Sequence, residues 1–282
     1  MTHSRPAIRE LLDSNSLAPR RDLGQNFVAD PNTVRRIAKL AQVGPGDNVL
    51  EIGAGLGSLT IALADTGAAV TALEVDRGVV PVLREVVADR PNVTVIEADA
   101  MDLDWAATLR TEGSGDWVVV ANLPYNIATP LICDILDRVP QVARMIVMVQ
   151  RETAERFVAS PGSAAYGAVS VKIAYWACAQ IIGQVSAAVF FPKPNVESAL
   201  VEITRREPPT TDPSAVFALV RKAFGTRRKM LRRSLSDIIT STTFGAADVS
   251  PTARPEELSI EAWCRLADAH LANSSPSSVQ SE

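Results

Sequence analysis

The chain of 282 residues is poor in the residue types that carry much metal, redox and general-base chemistry. Its two histidines, His3 and His270, stand near opposite ends of the sequence, so neither a histidine-based metal centre nor a histidine general base is expected. The three cysteines, Cys133, Cys178 and Cys264, are odd in number and widely spaced. They suggest neither a disulfide framework nor zinc ligation, and no metal is expected. No apolar run reaches the roughly 18 residues of a membrane span, and the first residues lack the apolar stretch of a secretory signal. A cytoplasmic protein with no membrane partner is the expectation. Net positive charge is missing too: the balance is −4, which argues weakly against a polyanionic partner until the distribution of charge is considered.

What is present is ordinary for a soluble globular protein, with 47% hydrophobic and 21% charged residues. The length suits one α/β core with a smaller appended domain. Short apolar runs at 48–52 (NVLEI), 70–75 (VTALEV), 93–97 (VTVIE), 117–121 (WVVVA) and 145–149 (MIVMV) read as strands. Helical patterns fall between them, at about 59–65, 78–89 and 130–138. Apolar strands alternating with helices predict a parallel sheet covered on both faces. Upstream, Asp30-Pro31 reads as a helix cap followed by proline at the first helical position, with the helix running to about Ala41. Residues 207–213 (EPPTTDP) read as a linker, the segment to about Ala272 as helical, and the Ser-rich residues 273–282 as a disordered tail. The division predicted is 1–206 as a catalytic domain with an N-terminal arm to about residue 30, 207–272 as a helical domain, and 273–282 as tail.

The strand ends carry the chemical signal. The first ends in Glu51-Ile52-Gly53-Ala54-Gly55-Leu56-Gly57, the second at Glu74-Val75-Asp76, the third at Asp99 and the fourth at Asn122. In an open parallel sheet these carboxyl ends lie side by side and line one crevice. Glycines there allow a tight turn and close approach of a ligand to the backbone. A dinucleotide fingerprint needs G-x-G-x-x-G; here the spacing is G-x-G-x-G, with Ser58 where its last glycine would fall. Glu74 stands 21 residues beyond Gly53, a spacing that suits ribose hydroxyls in either case. Asp99 adds a second anion, which fits a cationic, phosphate-free cofactor such as S-adenosylmethionine better than a pyrophosphate. A dinucleotide is the alternative.

Asn122-Leu123-Pro124-Tyr125 follows the most apolar strand. Alone, an Asn-x-Pro could be ordinary turn chemistry. Beside a methyl-donor crevice it answers a specific difficulty. The exocyclic amine of adenine is a poor nucleophile because its lone pair is delocalised into the ring. Two acceptors holding its N–H groups would localise that pair and aim it. The Asn122 amide oxygen and a carbonyl at Leu123 or Pro124 are candidate acceptors, and Tyr125 offers a face on which an extruded base can stack. Phe190 and Phe191, ahead of two prolines, are candidates to clamp that base from the other side, with plain core burial the competing reading for Phe191.

Residues 221–233 (RKAFGTRRKMLRR) hold seven basic residues and no acid: Arg221, Lys222, Arg227, Arg228, Lys229, Arg232 and Arg233. Such a run can be a solvated helix face; with an adenine-reading crevice in the same chain it is better read as a phosphate-binding surface. Arg20, Arg21, Arg35, Arg36 and Lys39 could extend it.

Taken in order, these motifs resemble the ribosomal RNA adenine dimethyltransferases, most closely the small-subunit type, over roughly residues 20–270. The resemblance rests on Leu23-Gly24-Gln25-Asn26-Phe27, the glycine loop, Glu97-Ala98-Asp99-Ala100, Asn122-Leu123-Pro124-Tyr125-Asn126-Ile127, and Gln150-Arg151-Glu152-Thr153-Ala154-Glu155-Arg156. It continues through Phe190-Phe191-Pro192-Lys193-Pro194, Ala223-Phe224-Gly225-Thr226-Arg227-Arg228-Lys229 and Arg254-Pro255-Glu256-Glu257-Leu258. It implies a class I, Rossmann-like methyltransferase fold, α/β with a seven-stranded mostly parallel sheet, and a small helical C-terminal domain. It implies S-adenosylmethionine as cofactor, held by Asn26, Val28, Gly53, Glu74, Asp99 and Asn122; Asn26 and Val28 come from the resemblance alone. It implies transfer of four methyl groups to the N6 atoms of two adjacent adenosines near the 3′ end of 16S rRNA, by a monomer that docks on the small subunit or its precursor and is placed to act in subunit biogenesis. Three departures from the family pattern are Ala54 for a common proline, Ala128 for a common serine and Asn195 for a common lysine. The last removes a positive charge near the presumed base pocket. Competing assignments are a large-subunit (23S) adenine methyltransferase of the macrolide-resistance type, and a non-catalytic RNA-binding assembly or transcription factor on the same fold. The second predicts an eroded crevice, and none of the crevice residues is eroded.

Overall fold

The computed structural model describes residues 2–109 and 116–274. Contacts divide the chain into two compact units, 1–154 with 179–205, and 155–178 with 206–282.

The first unit opens with helix α1 (Arg5–Ser14), which buries Ile8 and Leu12 one turn apart. Strand β1 (Phe27–Val28) leads to α2 (Pro31–Ala41). The start of α2 is set as the sequence suggests: the Asp30 carboxylate accepts from the N–H groups of Asn32 and Thr33, and Pro31 needs no donor. Val34, Ile37, Ala38 and Ala41 form its buried face, at helical spacing. Next come β2 (Asn48–Ile52), α3 (Ser58–Ala64), β3 (Ala69–Glu74), α4 (Val79–Val86), β4 (Val93–Glu97), α5 (Trp105–Thr108), β5 (Trp117–Asn122), α6 (Ala128–Arg138) and β6 (Val142–Gln150). After α7 (Arg151–Phe157) and α8 (Ala168–Trp176) the sheet is completed by β7 (Ala177–Val185) and β9 (Ser198–Arg205), with the short β8 (Phe190–Phe191) between them.

Seven strands form one sheet in the order β4-β3-β2-β5-β6-β9-β7. The five from β4 to β6 are parallel, and β9 returns antiparallel to β6. Val119, Val120 and Ala121 of β5 are each at most 1% exposed, as a strand covered on both faces requires. The chain leaves β2 for β3 on one side and comes back to β5 on the other, so the order reverses at the β2–β5 pair. That is where a doubly wound sheet opens a crevice, and Ile52 stands opposite Ala121 there. A separate two-stranded ladder joins β1 to β8, Phe27 opposite Phe191 and Val28 opposite Phe190. Arg205 closes the C-terminal end of α6, donating to the carbonyls of Ile135, Leu136, Val139 and Val142.

The second unit packs α8 with α9 (Pro213–Phe224), α10 (Leu231–Ser234), α11 (Ser241–Ala246) and α12 (Ile260–Ser274). Trp263, fully buried, sits in a core that also holds Tyr166, Tyr175, Phe217 and Phe244. Its boundary differs from the 206/207 break read from sequence. Residues 155–178 belong with the C-terminal helices because Tyr166, Val171 and Tyr175 share that core, and the Tyr166 hydroxyl donates to the Leu258 carbonyl at 2.8 Å. Two smaller expectations also shift. Asp212 and Pro213, read as linker, are the cap and first residue of α9. Residues 273 and 274, read as tail, end α12; the rest of the expected tail, 275–282, lies outside the described residues.

Candidate active site at the ends of the parallel strands

One cleft in the first unit, of about 1040 Å³ and partly open to solvent, collects every residue expected to hold the cofactor: Asn26, Val28, Gly53, Glu74, Asp99 and Asn122. Leu123, Pro124 and Tyr125 line it as well. The sheet explains the convergence. Gly53 follows β2, Glu74 ends β3, Asp99 follows β4 and Asn122 ends β5, all at the same edge.

The glycine loop fits a ligand pressed against the backbone. Gly53, Gly55 and Gly57 have φ of +73°, +56° and +82°, the left-handed region that side chains rarely adopt. A Cβ on Gly55 would stand 3.0 Å from the Phe27 ring. Glu74, 5% exposed, stabilises the loop from the neighbouring strand: Oε2 accepts from Gly55 N–H at 2.7 Å, and Oε1 from Val75 N–H (3.0 Å) and Asp76 N–H (2.9 Å). A carboxylate has about four acceptor positions, so one remains for a hydroxyl in the cleft. Burial raises the Glu74 pKa, against the pull of the Asp76 and Gly55 N–H groups. Asp99 is exposed and caps its own turn by accepting from Met101 N–H at 2.8 Å. Two carboxylates, a glycine cradle and apolar walls suit a cationic nucleoside that carries no phosphate.

At the end of β5, the Asn122 Nδ2 donates to the Asn26 carbonyl at 2.9 Å. That bond fixes which way the amide faces and leaves Oδ1 available as an acceptor. Of the two candidate carbonyls, that of Pro124 already accepts from Ile127 N–H and Ala128 N–H at the entry to α6. The Leu123 carbonyl is therefore the better second acceptor. Tyr125 is half-buried, and its hydroxyl lies 2.9 Å from the Ser198 hydroxyl on β9, which steadies the ring at the cleft wall. Burial raises the Tyr125 pKa, partly offset by that bond to Ser198.

One expected site residue is elsewhere. Phe190 is fully buried in the core with Val28, Val34, Ile37 and Leu200, so it cannot stack on a base. The β1–β8 pairing turns alternate residues to opposite sides, which sends Phe190 inward and leaves Phe191 half-buried. The Arg5 and Arg9 guanidinium groups lie 5.9 and 5.1 Å from the Phe191 ring centroid.

The basic run is in the second unit, and its members are not equivalent. Arg227 is committed to Glu256 at 2.7 Å and to the Ala164 carbonyl at 3.0 Å, and Lys222 pairs with Asp237. Arg221, Arg228, Lys229, Arg232 and Arg233 are exposed. In the first unit, Arg20 pairs with Asp22, Arg35 with the Asn32 side chain, and Arg36 with the Gln184 carbonyl.

The structure gives contacts or burial to residues for which no role was read from spacing: Gln25, Glu51, Asp76 and Ser198. For Glu51 a signal existed, since an acid inside the apolar run NVLEI must be buried. It is 1% exposed, and burial, reinforced by nearby Glu74, pushes its pKa from 4.5 up to about 8. The folded state thus holds a proton that the unfolded chain loses, and this contribution to stability is present below pH 4.5 and lost as pH rises toward 8. Glu51→Gln should flatten that decline and raise unfolding free energy at pH 8 by roughly 2–5 kcal/mol. Urea unfolding of both proteins at pH 5 and pH 8 tests this; parallel pH profiles would contradict it.

The geometry describes a class I S-adenosylmethionine-dependent methyltransferase, α/β with a seven-stranded sheet. The ribosomal RNA adenine dimethylase family matches residues 17–270, and the chain belongs to that family. It is 44% identical to ribosomal RNA small subunit methyltransferase A of Cutibacterium acnes, over 93% of this chain and 92% of that one. Among solved structures it is similar to the 23S rRNA methyltransferase ErmE (26% identity, TM-score 0.67, 86% of this chain and 98% of that one). A dimethyladenosine transferase from Plasmodium falciparum shares the fold (22% identity, TM-score 0.72, 84% of this chain and 94% of that one).

Proposed function

We propose that this protein methylates the N6 amines of two adjacent adenosines near the 3′ end of 16S rRNA, in the small ribosomal subunit or its precursor, to give N6,N6-dimethyladenosine. The observation that carries the reading is the Asn122 amide, held by the Asn26 carbonyl beside the glycine loop with Oδ1 free. When bound, S-adenosylmethionine supplies an electrophilic sulfonium methyl. Gly53 and the Glu74 and Asp99 carboxylates hold the cofactor, with Asn26 and Val28 closing one wall. Asn122 Oδ1 and the Leu123 carbonyl accept the two N–H bonds of the adenine amine, draw its lone pair out of the ring and point it at the methyl. Tyr125 stacks on the base, and Pro124 fixes the turn that places both acceptors. The amine's proton passes to solvent after alkylation, so catalysis is positioning and electrostatics and needs no histidine. After one transfer the amine keeps a single N–H, which one acceptor engages while stacking on Tyr125 holds the base for the second transfer.

The working form proposed is a monomer. Among the described residues no helix is long and apolar enough to cross a membrane; a ribosomal substrate fits a reaction in the cytoplasm. The helical unit, residues 155–178 with 206–274 among those described, is the RNA-holding part. Its exposed cations Arg228, Lys229, Arg232 and Arg233 bind phosphate, whereas Arg227 acts first as a structural tie to Glu256. Neutralising those four together should weaken RNA binding and reduce the slope of log K against log salt by roughly 3, with cofactor affinity retained. An unchanged slope would remove this patch from the interface.

A 23S target is the second reading, favoured by the likeness to ErmE. Methyl transfer from labelled cofactor to undermethylated small subunits, large subunits and naked RNA, run side by side, decides it. Label on small subunits supports the proposal; label on large-subunit RNA alone overturns it. Absence of label on all three would favour the non-catalytic assembly role.

A further inference from the structure

An asparagine amide has two orientations related by a half-turn, nearly equal in shape and opposite in chemistry. One presents an acceptor to the cleft, the other an NH2 group that would oppose an incoming amine. At Asn122 the choice is made by the Asn26 carbonyl, which can only accept and so takes Nδ2 at 2.9 Å. The placement of that carbonyl depends on the loop of residues 20–26. Within the loop, Gln25 N–H donates to the Arg20 carbonyl (3.1 Å), Gly24 N–H to the Arg21 carbonyl (3.0 Å), and Asn26 Nδ2 to the Gly24 carbonyl (3.0 Å). Gly24, at φ +64°, lets the loop press on Pro124: a Cβ there would stand 3.1 Å from the Pro124 Cβ.

One side chain ties this loop to the sheet. Gln25 Nε2 donates to Asp76 Oδ2 at 2.8 Å, while Gln25 Oε1 accepts from Arg20 N–H at 2.8 Å. Asp76 is 6% exposed, and its other oxygen accepts from Gly78 N–H at 2.9 Å. Asp76 N–H in turn donates to Glu74 Oε1. A continuous set of hydrogen bonds therefore runs from the Glu74 carboxylate through Asp76 and Gln25 to the loop whose carbonyl orients Asn122.

We propose that Gln25 is a positioning residue for methyl transfer: its amide latches the 20–26 loop to Asp76 and so keeps the Asn122 amide turned with its oxygen toward the reacting amine. The inference rests on the acceptor role of Asn122 given above. A glutamine serves because the latch needs a donor toward Asp76 and an acceptor toward Arg20 N–H from one planar group. A glutamate at that position keeps the acceptor, but when ionised faces the Asp76 carboxylate with no proton between them.

The test is an exchange of polarity. Gln25→Glu should lower kcat about 10- to 100-fold, the loss of one hydrogen bond to a charged group, with KM for the RNA changed far less. Lowering the pH should recover part of that loss, since a protonated glutamate can donate again. The double variant Gln25→Glu/Asp76→Asn restores one donor and one acceptor with their positions exchanged and should return kcat to within about threefold of wild type. Gln25→Leu removes the latch without adding charge and should show a kcat loss that does not recover at low pH. Two readouts do not depend on turnover. The Asn122 side-chain amide resonance, assigned by its absence in Asn122→Ala, should shift in Gln25→Glu and return in the double variant. Calorimetric affinity for S-adenosylhomocysteine should change less than kcat throughout. If Gln25→Leu and Gln25→Glu turn over like wild type while Asn122→Ala is inactive, the latch is wrong and the Asn122 reading stands. Failure of the double variant to recover what Gln25→Glu lost also overturns the latch. If Asn122→Ala itself turns over normally, the acceptor role falls and takes the latch with it.

Discussion

Asn122→Ala should lower kcat by about a thousandfold or more while the protein stays folded and S-adenosylhomocysteine binding weakens less than about tenfold. The magnitude follows from what is lost. A preorganised group aimed at charge developing in the transition state is worth about 10²–10³ in rate at other enzymes, and here the same amide also orients the nucleophile. Removal of the side chain leaves the Leu123 carbonyl as the remaining acceptor, so the amine is held at one N–H and free to stay conjugated with its ring. Asn122→Asp is the informative companion. It keeps an acceptor but gives up the donor to the Asn26 carbonyl, so it should fall between the alanine variant and wild type. Single-turnover rates with saturating cofactor separate this from a binding defect; equal rates for Asn122→Ala and wild type would contradict the assignment.

The second large effect is expected at Glu74. Its carboxylate accepts three backbone N–H groups, from Gly55, Val75 and Asp76, at a position 5% exposed to solvent. Glu74→Ala strands those donors, at a cost of about 1–3 kcal/mol for each that stays buried. It also removes the acceptor offered to the cofactor's hydroxyls. Cofactor affinity should drop by about 100-fold and thermal stability should fall with it. Glu74→Gln can keep accepting from Val75 and Asp76 N–H at one oxygen but turns an NH2 group toward Gly55 N–H, so it should recover part of the stability and little of the affinity. Calorimetry and thermal unfolding on the same samples check this, and an alanine variant that binds normally would show that the carboxylate belongs to the loop alone. Asp99, exposed and bonded among the described residues to its own turn, should by contrast affect affinity with little change in stability.

The uneven legibility of these residues in the sequence has a physical origin. Glu74, Asp99, Asn122 and the glycines stand at the ends of apolar strands, and parallel pairing carries all such ends to one edge whatever the loops do. Local pattern therefore determines a non-local fact. The same holds for the α2 cap, where Asp30 and Pro31 act within a few residues of themselves. Asn26 and Val28 required the family resemblance, because their place in the cleft depends on β1 meeting β8, with Phe27 opposite the distant Phe191 and Val28 opposite Phe190. That pairing also decides Phe190: in a two-residue strand, which phenylalanine turns inward is set by register with a distant partner, and the sequence FFPKP cannot display it. Strands β7 and β9 were legible only through the family's seven-stranded sheet. ACAQIIGQV in β7 alternates poorly, with several half-exposed apolar positions, and so carries weak strand periodicity. Residues 155–178 joined the helical unit for a similar reason. Tyr166 and Tyr175 look like any aromatic residues near a sheet until the partners that bury them, Leu258 and Phe217, are in place.

The charge of the molecule repeats the lesson at larger scale. A net charge of −4 coexists with a run of seven cations, of which Lys222 and Arg227 are held in ion pairs within their own unit. Composition hinted against polyanions, spacing singled out the segment proposed to meet RNA, and the side-chain partners separate its exposed cations from those that brace the helices.

The pocket is proposed to orient an aromatic amine, and the nature of the product tests that most directly. Small subunits lacking the modification should be treated with isotopically labelled S-adenosylmethionine and excess enzyme, and their rRNA digested to nucleosides for mass spectrometry. The expected result is label recovered as N6,N6-dimethyladenosine, with N6-methyladenosine present early and consumed late. Label on a ribose oxygen, on a ring carbon or on any base other than adenine would contradict the account.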